Sequence, residues 1–138
     1  MLSTIESNTF LNKIIDSIKE LKGVDIVLLD LRKIENAICK FFVICTGNSN
    51  THAKAIEDKI RRNIKKKHNE NPLRVEGTNS SEWILMDYSD TVVHIFQKKT
   101  REYYKLEEFW GDSISTEINE NNGAFNKGSL KAELDIKN

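Results

Sequence analysis

The chain has 138 residues, with 21 Lys and Arg against 21 Asp and Glu, 38% hydrophobic residues, one Pro and two Cys. One domain of this length buries roughly two-thirds of its extended-chain surface and needs no disulfide, so Cys39 and Cys45, in apolar surroundings with no secretory leader ahead of them, are expected to be reduced thiols. No apolar run nears the ~20 residues of a membrane span, and the N-terminus lacks a signal peptide's apolar core and a transit peptide's Arg-rich character; a cytoplasmic protein is expected, or an organellar one whose transit peptide has been removed.

The first periodic segment is Phe10, Leu11, Ile14, Ile15, Ile18, Leu21, which predicts a helix over about 8–22. Ser7 or Asn8 caps it, and Gly23 is expected to supply a left-handed exit. Asp25–Leu31 and Phe41–Thr46 are near-continuous apolar runs, the pattern of strands covered on both faces, with a polar connection over 32–40. Gly47–Asn50 then leads into a helix over 51–68, capped by Asn50 or Thr51, carrying Ala53, Ile56, Ile60 and Ile64 and broken at Asn71-Pro72.

Three strands follow, Leu73–Glu76, Glu82–Tyr88 and Thr91–Gln97, the last two joined by a tight Ser89-Asp90 turn. A helix over about 99–110 has Tyr103, Tyr104, Leu106 and Trp110 on its apolar side. Residues 113–138, rich in Asn, Ser, Glu and Lys, read as a disordered tail. The expected fold is a single α/β domain over 1–112, a mixed five-stranded sheet flanked by helices with one parallel crossover.

Zero net charge argues against sequence-independent nucleic-acid binding, but the balance hides two patches. Residues 54–68 hold seven Lys/Arg and two acids, a net of about +5, whereas 75–112 hold eight acids and four Lys/Arg, about −4. The Ile stripe of the basic helix leaves Lys59, Arg61, Arg62, Lys65, Lys66 and Lys67 outside, either as a solvated face or as a contact with RNA phosphates. No aromatic is interleaved there for base stacking.

Little catalytic chemistry is visible. Thr46–Asn50 opens a helix, as a phosphate loop would, but has one glycine and no Gly-Lys-Ser/Thr. Nucleotidyl transfer needs two carboxylates at i and i+2 on one strand face; Asp25 and Asp30 fall on opposite faces, and Asp87 and Asp90 straddle a turn. Cys39, Cys45, His52 and His94 match no zinc spacing. No catalytic residue, cofactor or metal site is expected. His94 shares a strand face with Val92 and Phe96, and reads as a hydrogen-bonded sheet histidine. Trp83 and Leu85 share one face of their strand while Ile84 and Met86 take the other, so Trp83 is either core or a protein-docking anchor rimmed by Glu82 and Asp87.

The runs LKGVDIVLLDLR (21–32), FFVICTGNSNTHAKAIED (41–58), PLRVEGTNSSEWILMDYSDTVVHIFQ (72–97) and REYYKLEEFWGD (101–112) together resemble the Iojap family, the ribosomal silencing factors or RsfS. The resemblance implies a nucleotidyltransferase-like fold without catalytic activity. It implies binding to the large ribosomal subunit through its fourteenth protein, beside an intersubunit bridge, so that the small subunit cannot join and translation is repressed when nutrients are short. Organellar relatives are linked to large-subunit assembly, which stands as an alternative beside a vestigial nucleotide or RNA binder. On this resemblance Trp83, with Leu85 beside it, faces the ribosomal protein; Arg101 and Tyr104 match the closing R-x-x-Y motif and are expected at the same surface, with Glu82 and Asp87 as an acidic rim. Arg61, Arg62, Lys65 and Lys66 are candidates for a peripheral rRNA contact. A monomer or weak homodimer is expected. Many relatives have Asp-Tyr where this chain has Lys40-Phe41, which reverses the local charge.

Overall fold

The computed structural model describes residues 8–119. Helix α1 (Thr9–Glu20) starts from Asn8, whose Oδ1 accepts the Leu11 N–H at 3.0 Å, and it buries Leu11, Ile14, Ile15 and Ile18 along one stripe. Its exit differs from expectation. Lys22, at φ 61°, is the left-handed residue, and the neighbouring glycine is required for space: a Cβ on Gly23 would lie 2.5 Å from Cγ2 of Ile18.

Strand β1 (Val24–Asp30) pairs antiparallel with β2 (Phe41–Gly47), and β2 pairs parallel with β5 (Thr91–Gln97). The parallel pair needs a crossover, which is made by α2 (Asn50–His68) followed by β3 (Arg74–Glu76) and β4 (Trp83–Asp87). Ser49, one residue ahead of the expected caps, closes the start of α2 by accepting the His52 N–H at 3.1 Å. The helix packs so closely on the strand end that a Cβ on Gly47 would meet the Ala53 backbone at 3.1 Å. β4 and β5 form a hairpin through Ser89-Asp90, with Ser89 at φ 78° and the Tyr88 N–H donating to the Thr91 carbonyl.

Two corrections concern the C-terminal part. The sheet has six strands, in the order β3-β4-β5-β2-β1-β6, because β6 (Ile114–Ile118) pairs antiparallel with β1. It lies inside the segment expected to be a disordered tail, whose residues 120–138 fall outside the described residues. An edge strand burying only Thr116 and Ile118 carries too weak an alternation to stand out in a polar stretch. The expected helix over 99–110 is two helices, α3 (Lys98–Tyr104) and α4 (Leu106–Phe109), divided by Lys105 at φ 49°. The break brings Leu106 and Trp110 onto the sheet.

Strand alternation divides the apolar residues between two faces. Ile26, Leu28, Phe41, Val43, Cys45, Ile84, Met86, Val93 and Ile95 face α1 and α2 and form the main core with the helix stripes. Val27, Leu29, Phe42, Ile44, Val92 and Phe96 face the other way. Among the described residues that second face is covered only by Leu31, Ile34, Ala37 and Cys39 of the β1–β2 connection and by Leu106 and Trp110, with Trp83 and Leu85 half-buried beside them.

If β6 is part of the folded domain, Ile118→Ala, at a buried position, costs about 2–3 kcal/mol in urea denaturation, while Ile114→Ala, at a partly exposed one, costs under about 1 kcal/mol. Equal, negligible costs would return this segment to a tail.

Candidate functional site

The thinly covered face carries a connected series of rings. Tyr103 meets Tyr104 at 5.0 Å between centroids, Tyr104 meets Trp83 at 4.9 Å, and Trp83 meets His94 at 6.0 Å. His94 meets Phe42 at 4.5 Å, Phe42 meets Trp110 at 5.9 Å, and Trp110 meets Phe109 at 5.4 Å. The middle of the series is core, whereas the ends reach solvent: Tyr103 and Phe109 are each 79% exposed and Tyr104 53%. Exposed aromatics continuous with a packed interior are what a protein-docking surface offers, since each presents large apolar area at little entropic cost.

Trp83 lies between the core residue and the exposed anchor that the sequence leaves open. Its indole is half-buried, tilted over Phe96 at 4.8 Å and covered outside by Tyr104. Its Nε1–H donates to Nδ1 of His94 at 3.1 Å. Nδ1 must therefore be unprotonated, which places the ring hydrogen on Nε2, and Nε2 is buried without a partner among the described residues. The sheet histidine is satisfied on one side only. Burial pushes its pKa down to about 3, so the ring is neutral. Backbone packing fixes the strand end as well: Gly77, at φ +88°, lies so close that a Cβ on it would fall 1.9 Å from the Trp83 carbonyl oxygen.

Arg101 lies near this surface but its guanidinium is turned inward. Nη1 donates to the Asp25 carbonyl and to Thr46 Oγ1, both at 2.8 Å, while Nε and Nη2 fork onto the Glu107 carboxylate at 3.2 and 2.8 Å. Its side chain is 12% exposed. The residue ties α3 and α4 to β1 and β2, and so positions Tyr104 against Trp83; four of its five N–H donors are engaged within the chain, which leaves one Nη2–H for the expected direct contact with a partner. A cleft of about 450 Å³ beside it has charges of both signs, including Lys98, Lys105, Glu102 and Glu108.

The other candidates are separated. Glu82 is exposed at the Trp83 edge, but Asp87 is held by Arg74 at 3.4 Å and by the Ser89 N–H at 2.8 Å, so the acidic rim is thinner than its sequence suggests. On α2 much of the positive charge is paired: Arg61 with Glu57 and Asp58, Arg62 with Asp58, Lys54 with Glu57, Lys59 with Glu20. Lys65, Lys66 and Lys67 are exposed with no ion pair among the described residues. The Gly47–Asn50 turn spends its donors internally: Asn48 N–H to His52 Nδ1 at 2.8 Å, Thr51 N–H to Asn50, His52 N–H to Ser49. Asp30 is bound to Arg32 and Asp90 lies by Lys40, so the carboxylates do not converge. Among the described residues no three His, Cys, Asp or Glu side chains gather as metal ligands. Burial raises the Cys45 thiol to about 12 and the Cys39 thiol to about 11.

Sequence reasoning missed Phe109 and Tyr103 as parts of this surface, and buried Phe42 as a ring beneath it. The pairs Tyr103-Tyr104 and Phe109-Trp110 carry a signal in retrospect, since adjacent aromatics on a short helix cannot both face inward.

Comparison with known proteins gives a consistent result. The sequence model of the family RsfS, "Ribosomal silencing factor during starvation", matches residues 4–136. The "Ribosomal silencing factor RsfS" of Bacillus subtilis is 41% identical over 95 residues, 67% of this chain and 76% of that protein. The mouse protein named "Mitochondrial assembly of ribosomal large subunit protein 1" is 31% identical over 72 residues, 51% of this chain and 32% of that one. Among solved structures, a crystal structure of a Chromobacterium violaceum protein superposes with a TM-score of 0.71 at 30% identity, covering 79% of this chain and 88% of that one.

Two measurements test the geometry. Arg101→Ala strands Glu107 and two acceptors and is expected to cost about 2–3 kcal/mol in chemical denaturation; a loss below about 0.5 kcal/mol contradicts the tying role. For His94 the pKa lies near 6.5 when unfolded and about 3 when folded, so the unfolded chain binds the extra proton in between. The stabilisation is whole above pH 6.5 and is lost as pH falls towards 3. Wild type should lose about 2 kcal/mol more than His94→Phe between pH 7 and 5; parallel profiles contradict it.

Proposed function

The chain belongs to the RsfS family of ribosomal silencing factors, and from that membership we propose that it acts as a non-catalytic anti-association factor. It binds the large ribosomal subunit through the fourteenth large-subunit protein, blocks an intersubunit bridge and so prevents small-subunit joining and represses translation. The observation that carries this reading is the thinly covered sheet face, with exposed Tyr104 on half-buried Trp83, Leu85 beside it, and exposed Tyr103 and Phe109 at the two ends of the ring series. A stable interface needs a buried aromatic centre and a polar rim, and this face supplies the first, with Glu82 as part of the second.

A full aromatic side chain withdrawn from water is worth about 4–6 kcal/mol at most, taking ~150–250 Å² at ~25 cal/mol per Å². Trp83 is half-buried before any partner arrives, so its share at the interface is smaller and Tyr104 and Leu85 supply the remainder. A partner that lies on rRNA is expected to be basic, and exposed Glu82 at the Trp83 edge suits it by raising the rate of encounter, while Arg74 and Lys40 offset part of the net charge of about −4 over residues 75–112. Contact of Lys65 and Lys66 with rRNA is a peripheral addition in this reading; Arg61 and Arg62 are already paired with acids of their own helix.

Sedimentation of wild-type protein with isolated subunits is expected to shift joined ribosomes towards free subunits. Tyr104→Ala, at an exposed position, should weaken large-subunit binding by about tenfold with little change in folding stability. Undiminished binding by Tyr104→Ala, Leu85→Ala and Trp83→Ala, each compared at equal fraction folded, would place the contact elsewhere. Tight, steeply salt-dependent binding to naked rRNA would favour an RNA-binding role instead.

A further inference from the structure

We propose that His94 is the positioning residue of the docking surface: its Nδ1 selects the single orientation in which the Trp83 indole is presented. The inference rests on the docking role assigned to Trp83 above. In the sheet, Trp83 lies opposite Phe96 and Leu85 lies opposite His94, so the indole and the imidazole are diagonal neighbours on one face. The indole has to lean along the strand direction to reach His94, and it does so, at 3.1 Å.

Its remaining neighbours cannot make that choice. Phe96 and Tyr104 contact the ring at 4.8 and 4.9 Å, tilted by 30° and 49°, and such apolar ring contacts are weakly directional. The Nε1–H···Nδ1 bond is the directional contact that favours one of the two orientations about the side-chain axis. His94 is able to impose it because the imidazole is itself immobile, 3% exposed, with Phe42 against it at 69° and Phe96 stacked beside it at 13°.

The cost of the arrangement points the same way. Accepting at Nδ1 forces the hydrogen onto Nε2, which is buried with no partner among the described residues. An unsatisfied buried donor is unfavourable, so what the histidine gains here is the bond it accepts from the indole, which an apolar residue of similar size would leave without that acceptor. A tryptophan fixed before docking has less freedom to lose when a partner covers it.

The test uses the full chain, isolated large subunits and two substitutions. His94→Phe keeps a ring and removes the acceptor; His94→Asn restores an oxygen at the place of Nδ1. The affinity of His94→Phe for large subunits is expected to fall about tenfold, at equal fraction folded, and His94→Asn to recover most of it. In a Trp83→Phe background the His94→Phe change should alter affinity by less than about twofold, because its effect passes through the indole. An equal loss in both backgrounds, or wild-type affinity for His94→Phe, overturns the proposal. The indole N–H resonance of Trp83, assigned with Trp83→Phe, gives an independent reading: slow hydrogen exchange in wild type, lost in His94→Phe and regained in His94→Asn. If Trp83→Phe itself binds subunits as wild type does, the docking role of Trp83 fails, and the resonance still reports whether His94 fixes the ring.

Discussion

The constraint from which the rest follows is an imbalance in the coverage of one sheet. Its central strands are apolar on both faces, yet among the described residues only one face receives long helices: α1 and α2 bury Ile14, Ile18, Ile56, Ile60 and Ile64 against it. The opposite face is covered, among the described residues, by a loop carrying Ile34, Ala37 and Cys39 and by two residues of a short helical segment, Leu106 and Trp110. At the margin of that cover Trp83 and Leu85 of β4 remain partly exposed. An open apolar margin on an otherwise well-packed domain is a place where another molecule belongs.

Several details follow from managing that margin. α3 is only seven residues long and is held by the four donor contacts of Arg101 to Asp25, Thr46 and Glu107, which fix where Tyr104 lies. Tyr104 covers the outer side of Trp83, Phe96 supports its inner side, and Gly77 allows the preceding turn to close over the strand end without displacing the Trp83 carbonyl. A surface made of aromatics supported in this way is preordered, unlike a flexible hydrophobic patch.

Much of this was legible in the residues, for reasons that differ by element. Periodicity located α1, α2, β1, β2, β4 and β5 because each buries a stripe or face, whereas β3 is three residues long with none fully buried; alternation put Trp83 with Leu85 on one face of its strand and His94 with Phe96 on one face of theirs. β6 was missed because an edge strand buries so little. The break at Lys105 was missed because no Gly or Pro marks it; the cause is a tertiary one, the docking of Leu106 and Trp110 on the sheet. Arg101 and Asp87 were placed in the right neighbourhood with the wrong freedom, since a sequence shows a charge and not the partner that occupies it. The positive charge of α2 was overstated for the same reason: Glu57, though nearly buried, pairs with both Lys54 and Arg61. The net zero charge of the chain therefore says little about what it binds; after pairing, Lys65, Lys66 and Lys67 are the exposed cations of α2 with no ion pair among the described residues.

Footprinting of the protein with and without isolated large subunits tests this account most directly. Hydroxyl-radical oxidation should fall strongly at Tyr103, Tyr104 and Phe109 when subunits are added, while acetylation of Lys65, Lys66 and Lys67 changes little. Protection of the three lysines with unchanged oxidation of the three aromatics would contradict the account and place the contact on α2.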